Sequence, residues 1–254
     1  DMKTKLVSDI IDRSDIDALV KWLQQDPIPQ LTKGPLTKEL EQKWSEYLGV
    51  KDTIYVNSGS SALLLMLSAL KYTGKLKNDK IIVPGLSWVT DVTSCTQLEL
   101  KPILCDCNLR DLSVDLDHLE SLFKTHKPSA FILVHVLGLV PDMKKIVALC
   151  EKYDVLLLED VCESMGSEYM GQKLGTFGIM SVFSLYYGHH LSTIEGGFIC
   201  TNNRPLAGAC IMMRSHGWDR DLTEVEQKHL RSSNRVSDFD AQYTFYPVSY
   251  THLT

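Results

Sequence analysis

The chain has 254 residues, 44% of them hydrophobic and 23% charged, with a formal net charge of −6. That composition excludes a disordered or collagen-like chain, and the acidic balance offers no electrostatic footprint for nucleic acid or an anionic membrane surface. The longest apolar runs, near 62–70 and 130–140, are too short to span a bilayer, the first twenty residues lack a signal-peptide pattern, and seven scattered cysteines suit a reducing, cytoplasmic compartment.

The elements alternate along the chain. Helices are predicted over Ile16–Gln25 and Lys38–Leu48, where Leu40, Trp44 and Leu48 recur at helical spacing. Thr53–Val56 reads as a strand, Asn57-Ser58-Gly59 as a turn and Ser60–Tyr72 as a helix. Lys80–Val83 is a strand stopped by Pro84-Gly85, Val89–Gln97 a helix and Lys101–Cys105 a strand. Then come helix Val114–Phe123, strand Ala130–Val134, helix Asp142–Lys152 and strand Val155–Leu158, ending in Glu159-Asp160. Strands Val182–Leu185 and Gly197–Thr201 precede a last predicted helix, Pro205–Met213. Pro247–Thr254 differs in character from what precedes it and reads as a non-native tail; with Asp1 at the start, the chain is expected to be a fragment whose parent continues past Tyr246.

Strand–helix alternation with short connections is the pattern of an α/β domain with a mostly parallel sheet sandwiched by helices. In such sheets ligands bind at the carboxyl ends of the strands. Five stretches lie there: Ser58–Ser61, Trp88, His135, Asp160–Glu163 and Ser184–His190.

Each has a functional and a bland reading. Ser58-Gly-Ser-Ser61 before a helix is a phosphate cradle or a simple helix cap. Glu159-Asp160 meets a metal, an arginine or a protonated ring nitrogen, or it is a helix cap or a structural ion pair. His189-His190 is an unusual pair without zinc-ligand spacing around it, or an exposed turn. Trp88 is a stacking platform or core. Cys105 and Cys107 are a redox or metal pair or two half-buried thiols. His135 is most simply a satisfied buried histidine.

Taken in order, the motifs Val56-Asn-Ser-Gly-Ser-Ser-Ala-Leu63, Val83-Pro-Gly-Leu-Ser-Trp88, Leu158-Glu-Asp-Val-Cys-Glu163, Phe183-Ser184, Glu195-Gly-Gly197 and Arg214-Ser-His-Gly217 resemble the DegT/StrS family of nucleotide-sugar aminotransferases. The resemblance runs from about Leu31 to about Tyr246. It implies the large domain of the fold type I pyridoxal 5′-phosphate enzymes over 31–246, an N-terminal helical segment over 1–30, and a smaller C-terminal domain that is missing. It also implies roles. Gly59, Ser60 and Ser184 would bind the cofactor phosphate, Trp88 would stack on the ring, and Asp160 would pair with the ring nitrogen and keep the ring an electron sink. Glu163 would lie near the ring hydroxyl or the substrate. The partners implied are a nucleotide-sugar, L-glutamate and a second copy in a homodimer, with no metal, nucleic acid or membrane.

One departure decides the implied reaction. The family's Schiff-base lysine lies five residues after the strand-end serine and six before Glu-Gly-Gly; here that position is His189. Imidazole cannot form the Schiff base but can move protons near neutral pH. The family's sugar 3-dehydratases carry this replacement and use the pyridoxamine 5′-phosphate form. Their cluster-bearing type needs cysteines after the segment that here reads Gly217-Trp-Asp-Arg-Asp221, and no cysteine follows Cys210, so an iron–sulfur cluster is not expected. The cluster-free type, acting on a GDP-linked 4-keto-6-deoxy sugar in the route to colitose, is similar over Tyr187–Gly197 and Arg214–Asp221. Three alternatives remain beside it: an aminotransferase with a displaced lysine, Lys173 being nearest; a non-catalytic relative that binds sugar nucleotides; and a surface turn at His189 without chemistry. His190, His216 and Arg220 have no assigned role.

Overall fold

A computed structural model describes residues 10–246; the expected tail at 247–254 lies outside the described residues. In chain order the elements are α1 (Arg13–Leu23), α2 (Pro35–Leu48), β1 (Asp52–Val56), α3 (Gly59–Tyr72), β2 (Lys80–Pro84), α4 (Val89–Gln97), β3 (Lys101–Cys105), α5 (Leu116–His126), β4 (Ala130–Val134), α6 (Met143–Tyr153), β5 (Leu156–Asp160), β6 (Glu168–Tyr169), β7 (Gln172–Lys173), β8 (Met180–Ser184), β9 (Gly197–Thr201), α7 (Arg204–Met213) and α8 (Glu224–Asn234).

Seven strands form one sheet in the order β1-β9-β8-β5-β4-β2-β3. The pairs β8·β5, β5·β4, β4·β2 and β2·β3 are parallel, and β9 alone runs antiparallel to its neighbours β1 and β8. The central strands β4, β8 and β9 are buried along their whole length, as expected for strands covered on both faces. One face packs on α3, α4 and α7 through Ala62, Leu63, Met66, Leu70, Cys95 and Leu206. The other packs on α2, α5 and α6, where Trp44 stacks on Phe198 at 4.9 Å and meets Phe183 edge-on at 5.1 Å.

Helix starts follow local chemistry. Pro35 opens α2 after Gly34, and Gly49 closes it in the left-handed conformation. Ser58, Asp115 and Asp142 cap α3, α5 and α6 by accepting from backbone N–H groups three residues on.

The structure corrects one boundary of the sequence reading. The helix at 204–213 is not the last: α8 follows, burying none of its residues. Its polar sequence carries no apolar stripe, so periodicity could not reveal it. A Thr223–Glu226 capping box holds its start. Arg204 ties it back to the sheet, reaching Glu226 and Asp52 at 2.6 Å each. Among the described residues no helix is long and apolar enough to cross a membrane.

Candidate active site

The β1–α3 turn forms a cradle for an anion. Ser58 Oγ accepts from the Ser61 backbone N–H at 3.0 Å, and the first helical bond runs from Ala62 N–H to the Ser58 carbonyl at 3.0 Å. The Gly59 and Ser60 N–H groups therefore donate to nothing among the described residues, at the positive end of α3. The Ser60 hydroxyl lies 3.4 Å from that of Thr90, on α4. Gly59 is sterically required: a Cβ there would come within 2.9 Å of Cys162 Sγ and Ser184 Cβ. Gly197, opening β9, is required too, since its Cβ would lie 2.5 Å from the Ser58 carbonyl. This packing brings the ends of β1, β5 and β8 together, and with them Gly59, Ser60 and Ser184. Ser184 Oγ accepts the Tyr186 N–H at 3.3 Å.

Beside this cradle lie the acid–base groups. Asp160 ends β5 and is nearly buried; the one hydrogen bond its side chain accepts among the described residues comes from Cys162 N–H, at 2.9 Å. Glu163 accepts from Leu137 N–H at 3.3 Å. His189 is half-buried in a turn closed by its N–H on the Tyr186 carbonyl at 2.9 Å. Burial lowers the His189 pKa below the ordinary 6.5; the Glu163 and Asp160 carboxylates pull it up and His190 pushes it further down. The imidazole is thus a neutral base at pH 7, with two carboxylates close enough to act on it. His190 is exposed. Trp88 is 65% exposed, which removes the core reading and leaves an open ring face.

Sequence reasoning missed Asp91. It is fully buried in the first turn of α4, and neither carboxyl oxygen finds a donor among the described residues. Burial above all, then the neighbouring Asp160 carboxylate, and then Glu163, raise its pKa from 3.8 to about 9. The Trp88 backbone amide opposes this, but it does not reach hydrogen-bonding geometry. A first-turn acid ordinarily reads as a partner of the helix dipole, so only its burial marks it as unusual.

Other candidates fall outside the cluster. Glu159 accepts backbone N–H groups of Gly175, Phe177 and Gly178 at 2.7–2.8 Å and meets His135 Nε2 at 3.1 Å, so both residues are structural. Cys105 is a buried free thiol and Cys107 a half-buried one, and no group of three or more metal-ligating side chains occurs among the described residues. Lys173 pairs with Glu168 at 3.6 Å and lies over the Tyr47 ring at 5.1 Å, engaged away from the Asp160 corner. Arg220 stacks 3.8 Å from Trp218, whose other neighbours are His216 and Phe245.

The residues at the strand ends fit the group implied by the sequence resemblance. Free N–H groups and hydroxyls suit a phosphate, Trp88 offers a ring face, and Asp160 is a carboxylate for a protonated ring nitrogen.

The family model for DegT/DnrJ/EryC1/StrS aminotransferases matches residues 9–245. GDP-4-keto-6-deoxy-D-mannose 3-dehydratase of Yersinia pseudotuberculosis is 35% identical over 243 residues, covering 94% of this chain and 60% of that protein. A solved Escherichia coli GDP-4-keto-6-deoxy-D-mannose-3-dehydratase with bound hydrated pyridoxal phosphate superposes with a TM-score of 0.81 at 34% identity, covering 86% of this chain and 56% of that one. A GDP-4-keto-6-deoxymannose-3-dehydratase holding a trapped pyridoxal phosphate–glutamate adduct superposes with a TM-score of 0.82 at 33% identity, covering 87% of this chain and 57% of that one. The chain thus spans somewhat under two thirds of the length of these relatives.

Proposed function

This chain belongs to the DegT/DnrJ/EryC1/StrS aminotransferase family, and from that premise we propose that the protein is a pyridoxal/pyridoxamine phosphate-dependent nucleotide-sugar 3-dehydratase. Its proposed substrate is GDP-4-keto-6-deoxymannose, from which the C3 hydroxyl is removed. The observation that carries the reading is His189, a neutral, half-buried imidazole beside Asp160 and Glu163 at the position of the family's lysine. The resemblance to two solved dehydratases supports it.

When bound, the cofactor would supply an amine for the sugar's 4-keto carbon and a ring that acts as an electron sink. The chain's own residues do the rest. The Gly59 and Ser60 N–H groups and the Ser60 and Ser184 hydroxyls would hold the phosphate. Trp88 would lie against the ring face. Asp160 would hold the ring nitrogen protonated, and Glu163 would orient the ring hydroxyl or the substrate. His189 would serve as the base that accepts the proton released there, with the C3 hydroxyl as the leaving group. A neutral imidazole suits this step because it accepts a proton without bonding covalently to the cofactor. Overall, substrate and glutamate give the 3,6-dideoxy-4-keto sugar, 2-oxoglutarate and ammonia, which balances atoms and charge. Exposed Trp88, Tyr186 and Tyr187 beside the site support a homodimer, and seven free thiols support a cytoplasmic setting.

The test is to incubate the protein with pyridoxal phosphate, glutamate and GDP-4-keto-6-deoxymannose and to weigh the sugar nucleotide by mass spectrometry. Loss of one oxygen, dependent on glutamate, is expected. An amino sugar would overturn the dehydratase assignment.

A further inference from the structure

Asp91 is unused by the chemistry above, yet it is the most unusual acid in the chain. Its carboxyl is fully buried, no donor reaches either oxygen among the described residues, and its foremost charged neighbour is the Asp160 carboxylate. The titratable groups around it include Asp160 and Glu163, the buried Cys95 thiol and the half-buried Cys162 thiol, and no lysine or arginine pairs with its carboxyl among the described residues. Two neighbouring carboxylates, out of water and without a paired cation, cannot both stay charged. One proton between them turns a repulsion into a short charge-assisted hydrogen bond. Asp160 already accepts from Cys162 N–H, so it is oriented as the acceptor, while Asp91 has no other partner.

We propose that Asp91 is a neutral carboxylic acid that donates its proton to Asp160 and so acts as a positioning residue for that carboxylate. The donated bond fixes the Asp160 plane from the α4 side, as Cys162 N–H fixes it from its own loop. It also leaves Asp91 without charge, so that no second anion faces Asp160 from the α4 side. The part of this inference that concerns the cofactor rests on the proposed function; the shared proton does not.

Two experiments separate these parts. The first is urea unfolding of the cofactor-free protein from pH 5 to pH 8. A proton held by Asp91 in the native state and lost on unfolding makes the unfolding constant rise with pH, by about tenfold per unit for one proton. Asp91→Asn removes that proton while keeping a neutral donor. The wild-type profile should therefore steepen relative to Asp91→Asn by about tenfold per pH unit over this range. Parallel profiles would overturn the shared proton. If Asp91→Asn does not fold, Asp91→Ser, a smaller neutral donor, serves for the same comparison.

The second is pyridoxal phosphate affinity at pH 6, followed by its absorbance. Asp91→Leu, which lacks a donor, should bind about tenfold more weakly, whereas Asp91→Asn should stay close to wild type. Equal losses in both variants would overturn the positioning role. Failure of the wild type itself to bind would instead sink the functional reading and leave the shared proton to the stability profile.

Discussion

Glu159 and Asp160 are neighbours on β5 that end on opposite faces of the sheet. Leu157 beneath Glu159 belongs to the core on the α2, α5 and α6 side, and Leu158 beneath Asp160 to the α3, α4 and α7 side. Glu159 is completely satisfied: three backbone N–H groups and His135 surround it, pinning the 175–178 turn under the strand. Asp160 accepts one N–H and otherwise faces other acids and a half-buried imidazole. The lesson concerns satisfaction, since charge type and chain position are the same. A buried carboxylate whose oxygens are filled by the fold holds the fold together. One that is left underpaired is available to a ligand.

The comparison breaks or sharpens under mutation. On the Asp160 side, His189→Asn should lower dehydration by about 10²–10⁴-fold, while urea unfolding shifts by about 1 kcal/mol or less. On the other face the opposite is expected. Glu159→Ala strands the N–H groups of Gly175, Phe177 and Gly178 and should destabilise the protein by about 3–5 kcal/mol, read by the same unfolding curve. An effect of Asp160→Asn that matched it would erase the distinction. Instead, Asp160→Asn should weaken pyridoxal phosphate about tenfold to a hundredfold with a stability change of about 1 kcal/mol at most.

Gly59→Ala tests the packing that joins the strand ends. Its methyl would press on Cys162 and Ser184, and a loss of about 1–3 kcal/mol in thermal or urea unfolding is expected. The mildest test is a pH profile. His189 works as a base only when neutral and its pKa lies below 6.5, so activity should fall only as pH drops below that value. An acid limb centred above 6.5 would mean that the neighbouring carboxylates outweigh burial.

Much of this was legible in the residues. Short apolar segments bounded by Gly, Pro, Ser and Asp mark the strands, because a strand between two helical layers must be apolar along its length. Ser58-Gly59, Asp160 and Ser184 were readable because ligands of such sheets gather at strand ends, and His189 because its spacing to Ser184 and Glu195 is a count along the chain. The polar helix α8 was not legible: ion pairs to Arg204 hold it, and their partners are distant in sequence. The split between Glu159 and Asp160 was not legible either. Two adjacent acids look alike in a sequence, and which one the backbone satisfies depends on the turn that packs beneath it. Asp91 is the plainest case. By sequence it is an ordinary first-turn acid; only the approach of α4 to the end of β5 takes it out of water and sets it against Asp160. Motif and spacing select which residues are present, but burial and pairing belong to the assembled fold, and those two quantities decide the charge a carboxyl carries.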